Sequence, residues 1–380
     1  MNLIQKLKNL RISLFHKYYL TKPIKKNKII AWSDSFKNFG CNPKYICLYL
    51  LKHYPGKFDI VWVFDQNRDI PLDFPKEIRY VRYFSKEYLY EISTAKFIIC
   101  NSRTGTAHFF KKRDEQKYIQ TWHSSIRLKK IEKDAEQSLP KKYIENAIND
   151  SKKIDIIVSG CDFSTNIFKN SFWYNGQILK SGTPRSDVLL NSEDNRKKVY
   201  DFYNISYDKK LVLYAPTFRN NKKADLYGFD FKELSTVLDE NEYAFAYRLH
   251  PNITENLNVS DNIISMSKYP DMQELLSACD ILFTDYSSCM FDMAIAKKKC
   301  FLYVPDLEEY ISKERGLYFD INNLPFSLSK KMDDLCENIK IFNEESYISE
   351  IESFMKEIGS YEDGNAAKRI SEYIISNLDK

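Results

Sequence analysis

At 380 residues, with 43% hydrophobic and 29% charged side chains and a net charge of +5, the chain is long enough for two ordinary domains. It is too weakly basic for bulk charge to point to nucleic acid as a partner. The 27 tyrosines and 25 phenylalanines against 10 glycines exclude a disordered chain. No apolar run approaches the roughly 18 residues of a membrane span, and the eight cysteines lack paired spacing and read as reduced core residues.

The first 28 residues hold eight lysines and arginines and no acid; Asp34 is the first. A helix here would gather Leu3, Ile4, Leu7, Leu10, Leu14, Phe15 and Tyr18 on one face, interrupted by Arg11. Residues 1–27 therefore suit either an anionic membrane surface or packing against the protein itself. Strands are predicted at Lys28–Trp32, Phe58–Phe64, Glu77–Tyr83, Phe97–Cys100, Lys117–Thr121, Ile154–Val158 and Gln177–Lys180. After the polar stretch Asn191–Lys210, with its short helix, come Leu211–Tyr214, Tyr243–Leu249, Ile263–Ser265, Ile281–Thr284 and Phe301–Val304. Several are continuous apolar runs, which suits strands buried on both faces. Helix-like segments such as Pro270–Ala278 lie between them, and this alternation predicts parallel sheets with right-handed crossovers. The expected division is a basic segment 1–27, a Rossmann-like domain 28–190, a second one 191–343, and a helical tail 344–380.

Five clusters fall at predicted strand ends, where parallel sheets build ligand sites. They are Gln120-Thr121-Trp122-His123, Gly182-Thr183-Pro184-Arg185-Ser186-Asp187, Tyr214-Ala215-Pro216-Thr217-Phe218-Arg219, Arg248-Leu249-His250-Pro251 and Thr284-Asp285-Tyr286-Ser287-Ser288. Each histidine, one per half of the chain, can move a proton or hold a phosphate when charged. Arg185 and Arg219 can clamp phosphate oxygens. Ser287 and Ser288 precede an expected helix, Cys289–Ala296, which suits an anion. The blander readings are a structural histidine at a strand end, serine as a plain helix cap, Gly-Thr-Pro-Arg as a bend, and Arg219 opening a solvated charge run. His16, His53 and His108 have no such context. The sequence has no Asp-x-Asp for a metal clamp, no G-x-G-x-x-G after a strand, no P-loop and no nucleophile elbow.

In order, Gln-Thr-Trp-His, Gly-Thr-Pro-Arg-x-Asp, Tyr-Ala-Pro-Thr-x-Arg, Arg-x-His-Pro and Thr-Asp-Tyr-Ser-Ser-x-x-Phe-Asp resemble the CDP-glycerol glycerophosphotransferase family, the teichoic-acid primases and polymerases with relatives in capsule synthesis. The likeness spans roughly residues 28–375. It implies an α/β, GT-B-like fold: two Rossmann-like domains with parallel sheets facing a central cleft. It also implies transfer of glycerol phosphate at the cytoplasmic membrane face, by a peripheral enzyme without a tightly bound metal or other cofactor. On that likeness His123 and His250 match functional histidines, and Ser287 and Ser288 match donor-phosphate positions. The family often has glycine after the first histidine, followed by Thr-Pro-Leu-Lys; here the run is His123-Ser124-Ser125-Ile126-Arg127-Leu128-Lys129-Lys130.

The expected partners are a CDP-glycerol or CDP-ribitol donor, a lipid-linked or polymeric glycan acceptor and an anionic membrane surface. His123 is the candidate base and His250 the candidate phosphate ligand. Arg185, Arg219, Ser287 and Ser288 are candidates for the donor phosphates, and Asp285 and Asp292 for orienting serines or binding ribose. Two alternatives keep other classes open: a GT-B sugar transferase or nucleotide-sugar epimerase, and a non-catalytic membrane-surface adaptor.

Overall fold

The computed structural model describes residues 12–103, 111–190, 193–217, 219, 225–250, 253, 257, 259–313 and 316–379. These residues form two compact units. The first takes the chain up to His123, then Ile131–Asp187, and the end from Tyr361 onward. The second takes Ser124–Lys130 and Val188–Ser360.

The first unit is built on a seven-stranded parallel sheet. Its strands are β1 (Lys25–Trp32), β2 (Asp59–Phe64), β3 (Arg79–Arg82), β4 (Ala95–Cys100), β5 (Lys117–Gln120), β6 (Ile156–Ser159) and β7 (Gln177–Lys180), in the order β3-β2-β1-β4-β5-β6-β7. The second has six: β8 (Lys210–Ala215), β9 (Tyr243–Tyr247), β10 (Ile264–Ser265), β11 (Ile281–Thr284), β12 (Lys299–Tyr303) and β13 (Ser327–Ser329). Their order is β10-β9-β8-β11-β12-β13, again parallel throughout. Both sheets thus start in the middle, build outward to one side, and cross back to the other. The order reverses between β1 and β4 in the first unit, and between β8 and β11 in the second. Two Rossmann-like units follow from the alternation of strand and helix in the sequence.

Burial explains the strand composition. Every residue of β4 and of β11 is buried, so continuous apolar runs are required where alternation would leave polar groups facing a covering helix. In the first core, Ile29, Trp62, Ile99, Ile119 and Val158 pack with Ile46 and Leu50 of helix Cys41–His53. The second core is more aromatic: Tyr214 stacks on Phe229 with ring centroids 4.0 Å apart, and Phe283 on Phe301 at 5.5 Å.

Three departures from the sequence expectations have plain causes. Strand β13 carries no sequence signal, because Ser-Leu-Ser is short and polar and sits at the sheet edge. The tail does not form one segment: helix Glu344–Glu357 belongs to the second unit, while helix Ala366–Ser376 returns to the first and buries Ile370 and Ile374 in its core. In the N-terminal segment, a helix over 12–19 buries His16 and Tyr19 and leaves Leu14 and Tyr18 exposed, so its packed face is not the expected one. Tyr19 meets Tyr90 edge to face at 5.4 Å. Leu3, Ile4, Leu7, Leu10 and Arg11 lie outside the described residues, as do His108, Phe218 and Pro251.

The returning helix carries a test. Ile370→Ala removes a fully buried side chain from a core assembled by both ends of the first unit. A loss of about 2–5 kcal/mol is expected in denaturant unfolding. A loss below about 0.5 kcal/mol, as for an exposed position, would mean the helix does not pack there.

Candidate active site

In the first unit the site begins where β5 ends. Trp122 adopts a left-handed backbone (φ 49°), a costly conformation for a bulky residue, so something must hold it. Asn42, fully buried near the start of helix Cys41–His53, does so: its amide donates to the carbonyls of Thr121 (3.2 Å) and Trp122 (2.9 Å). The Gln120 side chain accepts from the Trp122 N–H at 3.0 Å. The turn leaves His123 exposed, its ring stacked on Trp122 with centroids 4.7 Å apart. Nδ1 lies 3.4 Å from the carbonyl oxygen of Asn101, just beyond β4. A proton on Nδ1, donated to that carbonyl, leaves Nε2 as the basic nitrogen. Ser124 is not among the residues with left-handed backbone, so serine stands there without strain. The left-handed step falls one residue before the histidine.

Arg185 joins this cluster. Its backbone N–H donates to the Asn42 side chain (2.9 Å), and its guanidinium donates to the His123 carbonyl (2.8 Å). The rest of its motif works elsewhere in the same unit. Thr183 donates to Glu362 through N–H and hydroxyl, and Asp187 accepts from the N–H groups of Ala366 and Ala367, capping the returning helix. Gly182 has φ 81°, and a Cβ there would come within 3.2 Å of Ala366. The motif is therefore a clamp on the C-terminal helix with one arginine turned toward His123. Cys41 lies beside them, its sulfur 3.7 Å from the His123 carbonyl and 3.9 Å from Arg185 Nη1. Desolvation pushes its thiol up to about 11, with Arg185 pulling it down and Asp34 pushing it further up.

The second unit repeats the placement at its own reversal of strand order. Asp285, buried just after β11, accepts from the N–H of Thr217 beyond β8 (2.8 Å) and from that of Tyr286 (2.6 Å). Thr284 donates its hydroxyl to the Ala215 carbonyl at 2.7 Å. Arg219 locks the arrangement. Its Nε and Nη2 donate to Asp306 (2.8 and 3.1 Å), and its Nη1 donates to Asp285 (2.9 Å) and to the Thr217 carbonyl (2.8 Å). The rings of Tyr227, Tyr286 and Tyr310 surround it at 4.5, 4.9 and 5.0 Å, and Tyr286 stacks on Tyr310 at 3.6 Å. Most of its donors are thus committed to protein, so Arg219 acts on the loop through its partners.

Ser287 and Ser288 follow, both part-exposed. Ser288 occupies the cap position of helix Cys289–Ile295, yet its side chain makes no capping bond; Ser287 accepts a long 3.4 Å bond from the Cys289 N–H and also bonds the Cys289 thiol. The Ser288 hydroxyl is not spent on capping, and that of Ser287 only through the long bond. Asp292 is buried on that helix and accepts from Gln273 at 3.0 Å, and Asp285 is equally enclosed, so both orient protein groups. His250 is exposed beyond β9, the neighbour of β8. Two residues earlier, the half-buried Arg248 donates to the carbonyls of Met266 and Tyr269 (3.1 and 2.7 Å).

Sequence reasoning missed Asn42, Asn101, Asp306, Tyr227 and Tyr310, and gave Tyr286 no role within its motif. Only an asparagine before proline at a helix start, and one directly after an apolar strand, hinted at the first two. Among the described residues, no cluster of three or more potential metal ligands occurs.

Two Rossmann-like units, each built on its own parallel sheet, with histidines, arginines and serines at C-terminal strand ends, have the architecture of the GT-B-like class. The chain belongs to the CDP-glycerol:poly(glycerophosphate) glycerophosphotransferase family, whose model matches residues 14–376. It is 32% identical to a teichoic acid poly(glycerol phosphate) polymerase of Bacillus spizizenii, over 93% of each chain. It is also 32% identical to the polymerase of the same description from Bacillus subtilis, over 90% of this chain but only 48% of that protein, so it spans about half the length of that relative. The solved structure of the wall teichoic acid polymerase TagF superposes with a TM-score of 0.85 at 28% identity, covering 100% of this chain and 98% of that one.

The Arg219 cage yields a pH test. Burial opposes ionisation of Asp306, but the bonds and charge of Arg219 outweigh it and hold the carboxyl below its usual range. A depressed folded-state pKa contributes stability that is present above the unfolded value near 4 and is lost as pH falls through the folded one. Asp306→Asn should therefore lower unfolding stability most at neutral pH, and the gap to wild type should shrink toward pH 3 in urea titrations. A gap independent of pH would remove the carboxylate's charge from the explanation.

Proposed function

We propose that the protein transfers glycerol phosphate, or a related polyol phosphate, from a CDP-polyol to a hydroxyl of a lipid-linked or polymeric glycan acceptor in teichoic-acid or capsule synthesis, and releases CMP. The observation that carries this reading is the exposed imidazole of His123, fixed by the Asn101 carbonyl at a strand end. A general base needs both a basic nitrogen and a set orientation. Family membership supplies the donor class, a CDP-linked glycerol phosphate.

The acceptor hydroxyl oxygen attacks the phosphorus that carries glycerol. The new P–O bond forms as the bond to the bridging diphosphate oxygen breaks, and His123 Nε2 takes the hydroxyl proton. The departing electron pair stays with that bridging oxygen on CMP. Ser287 and Ser288 donate hydrogen bonds to the diphosphate, and His250, when protonated, adds a positive charge to it. Arg219 keeps Thr217 and Asp285 in register so that the serines are presented correctly. Arg185, beside the base in the first unit, holds an anionic oxygen near the reacting hydroxyl. Charge stabilisation of this kind supplies most of the rate in phosphoryl transfer.

The enzyme works as a peripheral protein at the cytoplasmic membrane face in this reading. Two exposed side chains support it: Leu14 at 59% and Tyr18 at 54%, in a segment with no acid before Asp34. Each cation near an anionic leaflet adds about 1 kcal/mol, screened by salt. Intact protein should sediment with anionic liposomes and be partly released by high salt, whereas deletion of residues 1–25 should weaken sedimentation. Equal sedimentation of both forms would assign the segment to packing alone.

The decisive assay follows CMP from CDP-glycerol, CDP-ribitol and a UDP-sugar with a lipid-linked acceptor. His123→Ala should lower kcat by about 10²–10⁴-fold while calorimetric donor affinity survives. Ser287→Ala combined with Ser288→Ala should weaken donor binding by roughly 1–3 kcal/mol. A His123→Ala enzyme retaining most of its kcat would remove His123 from the chemistry, and turnover of the UDP-sugar alone would make the enzyme a sugar transferase.

A further inference from the structure

Three successive residues that are not glycine adopt left-handed backbone where β1 ends: Asp34 (φ 47°), Ser35 (φ 56°) and Phe36 (φ 71°). L-residues pay for this conformation at each position, and a run of three is held only when the surroundings impose it. The surroundings here are specific. Phe36 stacks on Tyr83 with centroids 4.0 Å apart, its N–H donates to the Ser33 carbonyl (2.9 Å), and its carbonyl accepts from the Asp65 N–H (2.8 Å). The Ser33 hydroxyl donates to the Asn38 carbonyl at 2.8 Å. The Asp34 N–H donates to the Asn101 side chain at 2.8 Å, across the reversal of strand order.

This turn places one carboxylate. Asp34 Oδ1 accepts from the Asn101 amide (2.9 Å) and Oδ2 from the Asn38 amide (3.2 Å). An ionised carboxylate offers about four acceptor sites, so two remain. The residue is half-buried. The same Asn101 presents its carbonyl to His123, and the Cys41 thiol responds to Asp34 and Arg185 together. A carboxylate with spare acceptor capacity, an imidazole and a guanidinium therefore share one edge of the first unit.

We propose that Asp34 is an acceptor-binding residue: its carboxylate accepts hydrogen bonds from the hydroxyl groups of a polyol acceptor end and presents one of them to His123. The inference rests on the reading of His123 as the base. Chemistry sets the ligand class. A carboxylate takes donors and repels phosphate, so it selects the hydroxylated end of the acceptor and leaves anionic groups to Arg185. Vicinal hydroxyls match its two remaining acceptor sites. The strained turn is retained because a relaxed one would move the carboxylate away from Asn101 and the imidazole.

Asp34→Asn is the informative variant, because asparagine tolerates left-handed backbone while losing the charge. The probes are CDP-glycerol with a soluble acceptor ending in glycerol phosphate, and the same acceptor with its terminal diol reduced to a single hydroxyl. Asp34→Asn should raise the KM for the diol acceptor about 10-fold or more, the range for a hydrogen bond to a charged group. Its kcat should fall as well, because the reacting hydroxyl is no longer presented to His123, while calorimetric donor affinity and melting temperature stay near wild type. The penalty should shrink on the single-hydroxyl acceptor, because that interaction is already lost. An unchanged KM, or an equal penalty on both acceptors, would overturn the proposal while leaving the assigned reaction intact. A loss of melting temperature with equal effects on donor and acceptor would reduce Asp34 to a structural role and overturn it too. A wild-type protein releasing no CMP with either acceptor would overturn the parent reading and this one with it.

Discussion

The reversal of strand order is the constraint on which the site depends. In each unit the chain builds outward from a central strand and then crosses to its other side, so two neighbouring strands send their following loops apart. The gap between those loops is where a parallel sheet admits a ligand. It is also where backbone N–H groups lose their ladder partners. Both units close it in the same way, with a side chain from one strand end gripping a backbone N–H from the other. Asn101 holds Asp34 in the first, and Asp285 holds Thr217 in the second. The proposed functional groups sit on one of these two clasps or at the end of an adjacent strand, except Arg185, which follows β7 and reaches His123 through its guanidinium.

The two clasps differ in how they are charged, and the difference suits the roles assigned to them. The amide of Asn101 can donate and accept at once, so it fixes a carboxylate while its backbone carbonyl orients an imidazole. That arrangement suits proton transfer. Asp285 is a buried carboxylate and needs a compensating charge, which Arg219 supplies with help from Asp306 and three tyrosine rings. Leaving a buried ion unpaired is costly, so the cage behaves as a unit. It stiffens the approach to Ser287 and Ser288, whose hydroxyls are the donors that a diphosphate can use.

Much of the fold was legible because burial on both faces forces long apolar runs. Phe97–Cys100 and Ile281–Thr284 suit strands of a covered parallel sheet, and the spacing between such runs leaves room for crossover helices. Ser327–Ser329 escaped notice because an edge strand needs no such run. The strand-end motifs were also legible, since histidine, arginine and paired serines stand out against apolar sequence. Their partners were not. Arg219 reads as a clamp for the donor phosphates until Asp306, 87 positions away, is seen to take up its guanidinium. The Gly-Thr-Pro-Arg motif reads as a phosphate site until Glu362 and Ala366, about 180 positions on, show it gripping the returning helix. Contacts of such separation leave no periodic trace. Asp34 stands out in the sequence only as the first acid; its left-handed backbone has no signal in residue type.

Hydrogen exchange measured by mass spectrometry in the presence of CDP-glycerol tests the account most directly, because it reports on each strand end separately. Donor binding at the second unit predicts slowed exchange in peptides covering 211–217 and 281–289, with little change at 33–36 and 97–103. Protection confined to the first unit, with none at Asp285–Cys289, would contradict the assignment of the donor to the β8–β11 reversal.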